Sequence, residues 1–187
     1  MRSILVVWIL IAPIGLMGGQ TPQHVPAEDC PLKAVAEPSP YKGLEIREIK
    51  TLSDDDRQQL LAGHGMGLAL AAELNRFPGP KHVLELAGEL GLNDGQVNTA
   101  QGIFNEMERQ AQQLGRAVIE KEAELDARFA SGAIDQDSLA RSVLEIGRLR
   151  GELRLAHLRA HLQMRAAMSA DQVGAYDRLR GYQAEDR

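Results

Sequence analysis

Apolar residues recur at steps of three and four along residues 97–129: Val97, Ala100, Phe104, Met107, Ala111, Leu114, Val118, Leu125 and Phe129. That spacing keeps them on one face of a helix, as along a coiled-coil seam. No proline interrupts the run, so at about 1.5 Å per residue it predicts a helix on the order of 55 Å long. Asn93 stands where an N-cap belongs, Gln96 closes a capping box, and Leu92 with Val97 forms a hydrophobic staple. Ser131-Gly132-Ala133 ends the run, with Gly132 suited to the left-handed position past a helix C-terminus. Asp135 then caps a return helix, with Ile134 and Leu139 as its staple and a stripe of Leu139, Val143, Ile146, Leu149, Leu153, Ala160 and Met164. A short turn between two long amphipathic helices predicts antiparallel neighbours.

The return helix carries a second apolar row, Leu144, Leu155, Leu158 and Leu162. One partner helix cannot cover both rows. The second therefore predicts either docking of the segment before the hairpin or contact with a second copy of the chain.

Shorter elements precede the hairpin. Ser53 followed by Asp54, Asp55 and Asp56 starts a helix with acids in its first turn, where the helix dipole favours them. It ends in Gly63-His64-Gly65-Met66-Gly67, a bend that lacks the strand and Lys-Ser/Thr of a P-loop. Further short helices are expected over 68–76 and 81–90, separated by Phe77-Pro78-Gly79-Pro80. No segment alternates with the period of a strand. The fold expected over 42–187 is a single all-α domain, a long antiparallel helical hairpin with short flanking helices. Its aromatic fraction of 4% suits a thin helical assembly.

Residues 1–19 read as a cleavable signal peptide, with Arg2, an apolar run over 4–16 and small residues after it, the alternative being an uncleaved membrane anchor. The run is shorter than the about 20 residues of a membrane span, and Pro13 breaks it. Residues 20–41 hold Pro22, Pro26, Pro31, Pro38 and Pro40 and read as an extended linker. Cys30, the single cysteine, has three readings there: an inert linker residue, a free thiol or an intermolecular bridge. The formal charge of −5 points away from nucleic acid. The long helices are oppositely charged: 94–130 holds 7 acids and 4 bases, and 136–168 holds 3 acids and 6 arginines. Several of those arginines are expected to pair with the first helix.

At the far end, Met168-Ser169-Ala170-Asp171-Gln172 repeats the logic of Leu92 to Gln96, with Ser169 as cap and Gln172 closing the box. The pentads L-N-D-G-Q and M-S-A-D-Q resemble the paired L-T-x-x-Q motifs of the periplasmic Spy/CpxP-type family, which includes stress chaperones and CnrX-type heavy-metal sensors. Asn93 and Ser169 replace Thr, and Met168 replaces Leu. The resemblance implies a hooked four-helix, Spy/CpxP/CnrX-like fold, a homodimer and a periplasmic location. It also implies either a membrane-bound regulator or unfolded protein clients as partners. A capping box carries no information about activity.

His157 and His161 are four apart and share a helix face, with Met164 three further on. His82 and Glu85 are three apart on the third short helix. Imidazoles, a carboxylate and a thioether suit a divalent transition metal such as zinc, nickel, cobalt or copper. His64 and Met66, beside flexible glycines, form a second and weaker pair. Against this, a seam position for His157 also suits a packed core histidine, and Met107 and Met164 also suit core filler. There is no G-x-S-x-G, no H-E-x-x-H and no second cysteine, so no enzyme is expected. Two functions follow as expectations: a periplasmic metal-binding sensor or resistance protein that signals through a helical dimer, or an ATP-independent chaperone that holds unfolded chains.

Overall fold

Four capping residues mark where the main helices begin. In the computed structural model, which describes residues 38–182, the side chains of Ser53, Asn93, Asp135 and Ser169 each accept from the backbone N–H three residues on. At each, the side chain of that third residue accepts from the cap's own N–H, so two donors that a helix start leaves orphaned are satisfied. The helices are α1 (Asp54–Ala62), α2 (Leu70–Glu73), α3 (Pro80–Glu85), α4 (Asp94–Ala130), α5 (Gln136–Ala167) and α6 (Ala170–Leu179). Among the described residues there is no strand. All six helices belong to one unit, Pro40–Arg187. The expected signal peptide over 1–19, residues 20–37 of the expected linker, and Cys30 within it lie outside the described residues.

The 37-residue α4 and 32-residue α5 pack against each other as the expected hairpin. Gly132 sits between them at φ 68°. Two apolar clusters hold the molecule. Nearer the turn are Ile49, Leu52, Leu60, Ala111, Val118, Leu149 and Leu153. Towards the open end are Val83, Leu90, Ala100, Met164, Met168, Val173 and Tyr176. Helix α1 lies so close to α4 that a Cβ added at Gly115 would fall 2.1 Å from the Leu60 carbonyl oxygen.

The two cap-box glutamines do more than close their own boxes. Gln96 Nε2 donates to Gln172 Oε1 at 2.9 Å and to the Ala167 carbonyl at 3.0 Å, and Gln172 Nε2 donates back to Gln96 Oε1 at 3.1 Å. The starts of α4 and α6 are thereby joined side chain to side chain.

Several expectations are corrected. The second and third short helices are Leu70–Glu73 and Pro80–Glu85, each several residues shorter than expected. After α2 the chain tightens to an Asn75-to-Ala72 backbone bond and turns at Arg76, φ 67°; after α3 it continues as turns around Gly88 and Gly91. Phe129 and Val143 are 57% and 50% exposed rather than on a buried seam, Phe129 lying at the hairpin tip. The segment before α1 bonds α4 through Lys50 at Asp126 and Thr51 at Glu122, and reaches no further towards the hairpin tip than Asp126 in these bonds. Among the described residues the ion pair between the long helices is Arg150–Glu122 at 2.7 Å, while Arg148 turns to Glu145 and Glu152 of its own helix. The segment before the hairpin leaves most of the second leucine row uncovered: Leu144, Leu155 and Leu162 are 74%, 49% and 58% exposed, and Leu158 is half-buried.

Candidate metal-binding pocket

Between the two apolar clusters the hairpin leaves a cavity of about 400 Å³. On α5 it falls at His157 and His161, after Leu153 of one cluster and before Met164 of the other. Phe104, Met107 and Glu108 of α4 form one wall, and the glycine-rich loop 63–67 crosses it. Glu73, Gly79 and His82 come from α2, α3 and the turn between them.

His157 is 3% exposed, and its Nε2 is buried without a hydrogen-bond partner. Leaving such an atom unpaired costs about 1–3 kcal/mol, so a histidine serving only as packing is a poor choice here. Burial, and then the neighbouring His161, push its pKa below the ordinary 6.5. It is therefore a neutral imidazole at neutral pH, the form that binds metals. The loop lies directly on this ring: a Cβ at Gly65 would be 3.8 Å from His157 Nδ1.

His161 is held differently. Its Nδ1 lies 2.7 Å from the Phe77 carbonyl oxygen. A carbonyl only accepts, so Nδ1 carries the proton and Nε2 presents a lone pair. Gly79 makes room for the ring, since a Cβ there would be 3.2 Å from Nε2. His82 repeats the arrangement, with Nδ1 2.7 Å from Glu85 Oε2. The hydrogen bond from His82 holds the Glu85 carboxyl below its ordinary value, so the carboxylate accepts from Nδ1 and leaves Nε2 as the nitrogen not engaged by Glu85. A ligating histidine commonly donates its second nitrogen to a carbonyl or carboxylate in this way.

The structure thus brings His82, His157 and His161 to one cavity. Glu85 stands behind His82 as its orienting partner and does not line the cavity. Met164 is fully buried in the open-end cluster, away from the cavity lining. Among the described residues no three His, Cys, Asp or Glu side chains are already arranged around a common metal position.

Sequence reasoning missed Glu73. Its carboxylate accepts from Tyr176 Oη at 2.5 Å, Tyr182 Oη at 3.0 Å and the Gly79 N–H at 3.1 Å, and lies 3.7 Å from His161 Nδ1. Burial, and then the bond to Glu73, raise the Tyr176 pKa, so its hydroxyl stays protonated and donates. Glu73 so ties α6 to the wall of the histidine cavity. No spacing marks it, because its tyrosine partners lie 103 and 109 residues away in sequence.

Fold and cavity together define an all-α hairpin protein with an imidazole-lined pocket at mid-length. No family model, no curated protein and no solved structure matches the chain.

Proposed function

We propose that this chain is a periplasmic metal-binding sensor or resistance protein that takes a divalent transition metal into the mid-hairpin cavity. The observation that supports this most is His157: a buried imidazole with an unpartnered Nε2, one helical turn from a second imidazole whose Nε2 is left free by its tautomer. The donor chemistry fits a borderline metal. His157 and His161 would hold the ion, and His82, oriented by Glu85, faces the same cavity from a separate helix. A metal bound there would supply a positive charge between these neutral imidazoles. Because α3 and α5 both line the cavity, loading would tighten α3 against the hairpin and alter the surface a homodimer offers to a membrane-bound regulator.

Thermal melting with zinc, nickel, cobalt and copper tests the reading, since a ligand that binds only the folded state must stabilise it. At least one metal should raise the midpoint of the parent and not that of His157→Leu/His161→Gln. No rise with any of the four would set the reading aside.

One observation favours a chaperone instead. The exposed row Leu144, Leu155 and Leu162 runs along α5 beside exposed Arg141, Arg154 and Arg159, a mixed apolar and basic face suited to unfolded chains. Suppression of a client's aggregation by metal-free protein, lost in Leu155→Glu, would support that second reading.

A further inference from the structure

We propose that the cavity is a cuprous-copper site, with Met66 and Met107 adding thioether ligands to the imidazoles of His157 and His161; this rests on the metal-binding reading above. The cavity gathers His64, His82, His157 and His161, four of the five histidines in the chain, together with two methionines. Nitrogen and oxygen donors alone do not make a three-ligand set among the described residues. The rest of the lining carries two thioethers, those of Met66 and Met107.

Met164 and Met168 belong to an apolar cluster, whereas Met66 and Met107 belong to neither cluster nor its packed fringe. Met66 is 39% exposed and adopts φ 46° between Gly65 and Gly67. A residue with a side chain is strained in that region, and glycine would sit there freely. A methionine kept in a strained, partly exposed position on a cavity rim is a candidate for a functional constraint. The loop is also in the right place, since Gly65 lies against the His157 ring and Met66 follows it directly. Thioethers are soft donors that select Cu(I), whereas zinc is held by nitrogen, oxygen and thiolate. Mixed imidazole and thioether ligation also suits an ion that tolerates low coordination numbers, as Cu(I) does.

The test uses the full chain under anaerobic conditions with ascorbate, titrating Cu(I) against the colorimetric chelator bicinchoninate and Zn(II) against a chromophoric zinc chelator. The proposal expects one Cu(I) per chain. Met66→Leu/Met107→Leu should weaken Cu(I) by at least about tenfold, the loss seen even for outer-shell partners of a metal ligand, and leave Zn(II) affinity nearly unchanged. Circular dichroism checks that the variant is folded; Met66→Leu alone, on an exposed loop, serves if the double variant is not. Zinc binding without Cu(I) binding, or methionine variants that change neither affinity, would overturn the copper proposal and leave the histidine site standing. Binding of neither metal would overturn both.

Discussion

At His157 the energetics of packing and of function point in opposite directions. As a core residue it is costly, because Nε2 is buried without a partner. Replacing an unsatisfied buried polar group by an apolar one of similar size is close to neutral or stabilising. His157→Leu should therefore keep or raise the melting temperature of the metal-free protein while metal binding is lost; a clear drop in melting temperature would show a structural role instead. The pH dependence follows from the lowered pKa. Between the folded value and the ordinary 6.5 the unfolded chain binds more protons than the folded one. Stability from this group is thus complete above about pH 6.5 and lost as pH falls through the folded value. Chemical denaturation across that range should show a shallower acid-side decline for His157→Leu than for the parent. The histidine pair was legible in the sequence because spacing of four on a helix fixes a shared face. The same spacing argument placed Met164 with them, yet α5 turns it into the open-end cluster. Periodicity names a helix face and not what that face meets.

At the scale of elements, the long helices and their caps were readable because each start carries its own local chemistry. Helix α1 was readable in the same way, from the Ser53 cap to Gly63, whereas α2 and α3 were not, since four and six residues give too few periods to fix their ends. What no local signal revealed is that the two capping boxes meet. Gln96 and Gln172 exchange hydrogen bonds across 76 residues of sequence. They should couple: Gln96→Ala and Gln172→Ala should each destabilise by about 1 kcal/mol or more, and the double variant by less than their sum. Urea denaturation of the full cycle measures this, and strict additivity would show that the glutamines act only as separate caps. Glu73 belongs to the same class of hidden feature, a carboxylate in a short helix whose role is set by tyrosines at the far end of the chain.

For the whole molecule, the cavity lies between two apolar clusters, so it can change without dismantling either. No described helix is long and apolar enough to cross a membrane. The exposed leucine row on α5 was legible as surplus to the hairpin, because two apolar rows on one helix need two partners. Its partner was not, as nothing in a single chain encodes what docks from outside. In the dimer we propose, Leu155→Glu should convert dimer to monomer in sedimentation equilibrium, since a charge buried at an interface without a partner is costly. A parent that stays monomeric at high concentration would remove the dimer from the account.

The account depends most on metal reaching His157 and His161, and imidazole nitrogen resonances report that directly. In the metal-free protein, nitrogen-15 correlation spectra should show His161 and His82 as the Nδ1–H tautomer, as their acceptors Phe77 and Glu85 require. One equivalent of zinc, which is diamagnetic, should shift the resonances of His157 and His161 together and leave those of His24, which is not among the described residues lining the cavity, in place. Unmoved His157 and His161 resonances at saturating zinc and at saturating Cu(I) would contradict the account.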